Sequence, residues 1–388
     1  MFVQSVFYNN PDHYPPMLHA ANVYQEYQWQ QEILSRAYYP NTLPPFEMTY
    51  PAGTQVVRIQ PKKSSSFVSY LDFVRQVLAH GKREADVIFS YDMHALLPAW
   101  LLSRRYNKPF VYHSHDYVDN NAPLSTSQRI YKSIERRLAP AADLVIVPDA
   151  ERAQVMVEQL HLKTPPTIVA NCPVYPPEQS STALQDALQR LNLNFDKIVL
   201  RQGTIGPSHA LEVTLRSMVY WASKDWAFVL LGPVKDEYRN FLQGLAEELC
   251  VQGQFVVLPA LGDYRQVATY TVGAHLGHAL YEPSHVSHRF ITTASNKTME
   301  YQAAGLPVLL SDTPASQELI AKYRHGVVAD VRDPQAIANA INTVLLNDEL
   351  AIEMSQNSFK AFSQEYNYRN QYTPVINQLI DLVPLSAT

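Results

Sequence analysis

At 388 residues the chain exceeds what one hydrophobic core usually holds, and 46% hydrophobic with 17% charged residues is an ordinary globular balance, so two domains are expected. A net charge of −5 argues against a general nucleic-acid binder, no apolar run approaches the ~18–20 residues of a membrane span, and Met1 to Tyr8 lacks the basic start of a signal peptide. Cys172 and Cys250 follow neither metal spacing nor a disulfide framework, which leaves a cytoplasmic enzyme as the expectation, with peripheral contact at the inner face of a membrane still open.

In chain order, FVQSVFY, QVVRIQ, DVIFSY, FVYHSH and DLVIVPD read as strands. Helical spacing runs from Ser66 to Glu84 and from Leu96 to Tyr106, and TIVANCP closes the first half. Pro173 to Glu178, followed by Gln179 to Thr182, reads as a linker. A second alternating set follows: IVLRQG, AFVLLGP, FVVLPA, AHLGHALY, PVLLSD and GVVAD. Helices are expected over Ala210–Ser223, Asp236–Leu249, Arg332–Leu346, Asp348–Phe362 and Asn367–Leu382. Alternation of this kind predicts parallel α/β layers, two Rossmann-like halves with ligands at the carboxyl ends of the strands.

The run from Ser295 to Asp312, SNKTMEYQAAGLPVLLSD, carries the most chemistry. Ser295 or Asn296 can cap a helix that Gly305 and Pro307 stop, and Lys297 and Glu300 share one face of it. A helix N-terminus presents unpaired N–H groups and a partial positive charge, which suits a diphosphate. A carboxylate one turn further in can accept two hydrogen bonds from a ribose diol. An exposed i,i+3 ion pair would explain an isolated K-x-x-E as well.

Asn296-Lys297-x-x-Glu300-Tyr301-x-Ala303-x-Gly305-x-Pro307-Val308 resembles the donor-sugar helix of family-4-type GT-B glycosyltransferases. The resemblance extends over nearly the full length, through DVIFSYDMHALLPAWLLSRRYNKPFVYHSHDY, ADLVIVPDAERAQVM and IVANCP, and is weakest at the N-terminus, where Asn9 to His13 replaces a Gly-rich loop. It implies two Rossmann-like domains facing across a cleft: residues 1–178 binding the acceptor, with the final helix 367–388 packing back on them, and residues 179–366 binding the donor. RQGTIGPSHALE then takes the place of the family's donor loop, with Gly203 and Gly206 letting the backbone approach a diphosphate. Two cations usual in that loop are replaced by Thr204 and His209, so Lys297, the helix start, and Arg201 or a protonated His209 are expected to compensate. Of the family's paired Glu, Glu300 matches the second, and Thr292 stands in place of the first. Glu282, Thr292, Thr293 and Ala294 are expected near the sugar and phosphates.

His115, after a first-half strand, is expected at the transferred sugar, with His113 deeper on the same strand. Asp92, His94 and Asp116 are expected to line the acceptor site. His275, His278, His285 and His288 make two H-x-x-H pairs, but residues three apart on a strand face opposite sides, so no metal site is expected. His285, His288 and Arg289 are assigned instead to a donor-pocket loop. Basic residues at Arg104-Arg105 and Lys132 to Arg137 suit either a solvated helix face or an anionic lipid surface.

The expected function is transfer of a sugar from a nucleotide-diphosphate donor to a hydroxyl acceptor (glycan, lipid-linked or small molecule) with retention of configuration, in polysaccharide or glycoconjugate synthesis. No cofactor is needed beyond the nucleotide sugar. Lys297, Glu300 and His115 would carry the chemistry. The alternatives are a non-catalytic nucleotide-sugar or glycan binder of the same fold, motivated by Thr204, His209 and Thr292, and a nucleotide-sugar epimerase.

Overall fold

The computed structural model describes residues 1–37, 46–60, 67–118, 124–283, 288 and 291–383. His285 and Arg289 lie outside them. The chain divides into two compact units, one running through Val174 and taking in the final helix Tyr368–Leu382, the other Tyr175–Asn367.

The first unit is a seven-stranded parallel sheet of β1 (Phe2–Phe7), β2 (Gln30–Arg36), β3 (Thr54–Ile59), β4 (Val87–Tyr91), β5 (Phe110–His113), β6 (Leu144–Val147) and β7 (Thr167–Ile168). Their order is β3-β2-β1-β4-β5-β6-β7, so the chain reverses its direction of travel between β1 and β4. Val6, Leu34, Ile88, Phe110 and Val145 form its core with α2 (Phe67–His80) and α3 (Asp92–Tyr106). Burying each such side chain stabilises by about 1.5–3 kcal/mol.

β2 has no counterpart in the sequence reading, because its start, Gln30-Gln31-Glu32, is polar. Those polar groups are paired inside the sheet: Gln31 Nε2 donates to Ser5 Oγ at 3.0 Å, and Glu32 accepts from Gln4 Nε2 at 2.7 Å and from Lys82 at 2.8 Å. α3 also starts four residues earlier than the apolar spacing suggested. Asp92 follows β4 directly, with a left-handed φ of 58° that aspartate tolerates better than most residues.

The second unit is a six-stranded parallel sheet of β8 (Lys197–Gln202), β9 (Trp226–Leu231), β10 (Phe255–Leu258), β11 (Leu276–Ala279), β12 (Val308–Ser311) and β13 (Gly326–Ala329), ordered β10-β9-β8-β11-β12-β13. Here the reversal falls between β8 and β11. The helix expected over Ala210–Ser223 is shorter, Leu211–Ser217, and tightens into a 3-10 turn at Met218–Tyr220. In open parallel sheets the crevice beyond the strand ends at such a reversal is where ligands sit. Topology therefore singles out the segments after β8 and β11, and in the first unit those after β1 and β4.

Candidate functional site

In the second unit the segment after β8 is braced on both sides. Gly203 N–H donates to Leu231 O at 2.9 Å and Ile205 N–H to Pro233 O at 3.0 Å. Gly203 has a φ of +76°, open to glycine at no steric cost, and a β-carbon there would come within 3.0 Å of Lys297 Cε and 3.2 Å of its Nζ. Gly206 differs: its φ is extended and a β-carbon would meet nothing within 4 Å. Of the two, close approach thus belongs to Gly203.

The helix Asn296–Ala303 is capped by Ser295, whose hydroxyl accepts from Thr298 N–H at 3.3 Å. Asn296 occupies its first position, so Lys297 projects from its first turn, beside the glycine segment. Glu300 lies one turn on, half-buried, and accepts from Gln202 Nε2 at 2.5 Å. Gln202 is itself oriented by Thr271, whose hydroxyl donates to its Oε1 at 2.6 Å. Burial raises the Glu300 carboxyl, against the opposing hydrogen bonds of Tyr264 and Gln202 and the charge of Lys297. The second unit thus brings together Gly203, Ser295, Asn296, Lys297 and Glu300.

His209 does not contribute a cation. Its ring is buried, its Nδ1 accepts the Gly206 N–H at 3.1 Å, and burial, reinforced by Arg201 and Lys297, pushes the imidazole far below its usual range. Thr204 is exposed. Thr292 is buried with its hydroxyl 3.2 Å from Ser316 Oγ, and Thr293 and Ala294 follow it toward the cap. Glu282 is tied by its own N–H to Ser208 O at 2.9 Å, which fixes the segment after β11 to the segment after β8. His275 and His278 go to separate partners, His275 Nδ1 to Ile198 N–H at 3.1 Å and His278 Nε2 to Thr214 Oγ1 at 2.9 Å. Two residues beneath the site, Gln202 and Tyr281, received no role from the sequence, since neither belongs to a recurring motif. Their positions at the ends of β8 and just beyond β11 were the available signal.

In the first unit a cavity of about 320 Å³ opens at the β1/β4 reversal, and Asp92, His94 and Asp116 all line it, with Tyr8, Tyr91 and Gln128. Asp92 already accepts three hydrogen bonds from the protein. Its Oδ1 takes the N–H groups of His115 (2.9 Å) and Asp116 (3.3 Å), and its Oδ2 takes the Tyr14 hydroxyl (3.0 Å). Burial, then the charge of Asp116, raises its carboxyl to about 7, with those hydrogen bonds opposing. His115 is not among the residues lining the cavity. It is buried between His113 (ring centroids 4.0 Å apart), Tyr91 and Tyr14, and neither ring nitrogen has a hydrogen-bond partner among the described residues. Burial holds it neutral.

The basic run of α4 (Thr126–Leu138) is not uniformly a solvated face either. Lys132 is buried, 2.5 Å from Glu135 and 3.9 Å from the centroid of the Tyr117 ring, while Arg136 and Arg137 are exposed.

Two parallel-sheet α/β units define a GT-B protein with two Rossmann-like domains. Residues 17–173 match the family described as "Glycosyl transferase 4-like domain", and residues 188–361 match "Glycosyl transferases group 1". The chain belongs to the group 1 glycosyltransferases and is a glycosyltransferase enzyme. It is 24% identical over 314 residues to a D-inositol 3-phosphate glycosyltransferase of Corynebacterium glutamicum (strain R), covering 74% of this chain and 71% of that one. Its fold is similar to that of a sucrose-phosphate synthase from Thermosynechococcus elongatus (TM-score 0.72, 17% identity, 98% of this chain and 100% of that one). Anabaena HepE in complex with UDP and glucose gives a TM-score of 0.72 at 16% identity, over 98% of this chain and 100% of that one. No helix among the described residues is long and apolar enough to cross a membrane.

Proposed function

We propose that the second unit binds a nucleotide-diphosphate sugar and that the enzyme transfers its sugar, with retention of configuration, to a hydroxyl acceptor bound by the first. The observation that carries this reading is the Lys297 ammonium held over Gly203 at a helix N-terminus, with the Glu300 carboxylate one turn away. The ammonium and the helix start would take charge developing on the leaving diphosphate, and Glu300 would accept from the ribose diol. Transfer of this kind asks the protein for orientation and charge stabilisation rather than a nucleophile, in keeping with a site whose described residues pair no nucleophile with a base. The complexes of HepE with UDP and with UDP-glucose make a uridine nucleotide the first donor to try. The cavity lined by Asp92, His94 and Asp116 is the acceptor site on this reading, and its mix of carboxylate, amide and aromatic side chains suits a sugar or another polyol. Use in polysaccharide or glycoconjugate synthesis follows from such an acceptor, and fits the neighbour WaaG, a glycosyltransferase involved in lipopolysaccharide biosynthesis.

The test is a thermal-shift screen against UDP, GDP, ADP, TDP and their sugar conjugates. A ligand that binds only the folded state raises the melting temperature with its concentration. A selective shift lost in Lys297→Ala supports the donor site. A shift retained in Lys297→Ala and Glu300→Ala would place the nucleotide elsewhere. Product analysis by NMR, showing inversion, would sink the retaining assignment.

A further inference from the structure

Beneath the glycine segment lies a buried arginine that would not touch a bound diphosphate. Arg201 on β8 is fully buried. Its Nη1 donates to Leu280 O at 3.2 Å, and its Nε and Nη2 have no hydrogen-bond partner among the described residues. A guanidinium stays charged when buried, and leaving two of its nitrogens unpaired is costly. What faces it is the ring of Tyr281, whose centroid is 4.7 Å from the guanidinium carbon. Lys297 approaches the same ring at 5.9 Å, and the Tyr281 hydroxyl is 3.1 Å from Ser295 Oγ, the cap of the helix Asn296–Ala303. One phenol therefore touches both cations and the cap.

We propose that Arg201 and Tyr281 form a buried charge module beneath the diphosphate site. Arg201 provides from below the positive potential that Thr204 and His209 do not provide, and loss of the Tyr281 proton cancels it. Arg201 is fully covered, so it is a positioning residue acting through the field and through Tyr281. The inference rests on the second unit being the nucleotide site.

Among the described residues, several elements bring polar, titratable or charged side chains to Tyr281, and Ser311 on β12 bonds its backbone. Those side chains are Arg201 on β8, Lys297 and Ser295 at the helix start, Tyr301 on that helix, His209 in the segment after β8 with its ring edge-on at 5.3 Å, and His288 at 5.5 Å. His209 is neutral, so the two cations dominate. Burial by itself would raise the phenol, but the charges of Lys297 and Arg201, with the hydrogen bonds of Ser295 and Lys297, outweigh it and bring it to about 8. A bound diphosphate places negative charge beside the same cations and so favours the protonated phenol. By linkage, affinity for the diphosphate must then fall as pH rises through about 8.

The experiment measures UDP, GDP and ADP binding calorimetrically on either side of that transition, alongside ultraviolet titration of the phenolate band, in wild type, Tyr281→Phe, Arg201→Gln and Arg201→Lys. In wild type, affinity is expected to fall about tenfold for each pH unit by which the nucleotide raises the Tyr281 transition. Tyr281→Phe should lose both this dependence and the low phenolate transition. Arg201→Gln should move the transition upward, and Arg201→Lys should restore it in part, a response that loss of packing would not produce. If Arg201→Gln does not fold, Tyr281→Phe decides. A Tyr281→Phe protein that binds nucleotide with the wild-type pH dependence overturns this inference alone. If wild type binds none of the three nucleotides, the donor-site reading falls, and this inference with it.

Discussion

The Lys297 ammonium nitrogen lies 3.2 Å from the point where any residue replacing Gly203 would put its β-carbon. The glycine and the lysine, 94 positions apart in sequence, share one small volume: the absence of a side chain at one is what admits the charge of the other.

Gly203→Ala should therefore damage binding more than folding. The φ of +76° and the contact with Lys297 together are expected to cost about 1 kcal/mol or more of stability. Nucleotide affinity should drop further than that, because Lys297 must swing away. Calorimetric titration and a melting curve on the same protein separate the two, and an unchanged affinity would argue that Lys297 does not hold the diphosphate.

Glu300→Ala should weaken UDP binding by about tenfold to a hundredfold, the range for hydrogen bonds to a charged acceptor of about 1.5–3 kcal/mol. Binding of inorganic pyrophosphate, which has no ribose, should be unaffected. Equal losses for the two ligands would place Glu300 at the phosphates instead.

Asp92 predicts a pH-dependent stability. Its folded carboxyl is raised to about 7, so the native state holds that proton more tightly than the unfolded chain does. The stability it contributes declines as pH rises from the unfolded value of about 4 through the folded one. Asp92→Asn removes that decline and keeps an oxygen for the N–H groups of His115 and Asp116, so it should gain on wild type as pH rises across this window. Asp92→Ala should lose about 2 kcal/mol or more, from the left-handed backbone and the orphaned donors. Chemical denaturation at several pH values reads both, and parallel curves for wild type and Asp92→Asn would contradict the raised carboxyl.

Lys132 and its neighbours on α4 should respond oppositely to truncation. Lys132→Ala leaves the buried Glu135 with the Tyr112 hydroxyl but without its cation, a change that costs about 3–5 kcal/mol. Arg136→Ala, on the exposed face, should stay within about 0.5 kcal/mol of wild type. Urea denaturation measures both, and a small loss at Lys132 would return it to the solvated surface.

Much of this protein is legible in its sequence. Alternating apolar runs give the parallel α/β class, and the string from Ser295 to Pro307 gives the capped helix, its stop and the Lys297–Glu300 spacing, because these features depend on neighbours a few residues apart. β2 was not legible, since its buried Gln31 and Glu32 read as surface until Ser5, Gln4 and Lys82 are seen to pair with them. Nor was the state of His209, whose lost charge follows from burial and from Arg201 and Lys297 nearby. The segment 201–209 specifies a turn with glycine where φ is positive; it does not specify that Lys297 will fill the space above that glycine or that Tyr281 will lie against Arg201. Local propensity and periodicity are properties of contiguous residues. Burial, pairing and electrostatic potential depend on what the chain brings back from far away, so the parallel crossovers that set β11 beside β8, and the helix Asn296–Ala303 beside β11 with its Tyr301 hydroxyl bonded to β8, decided the chemistry of the site.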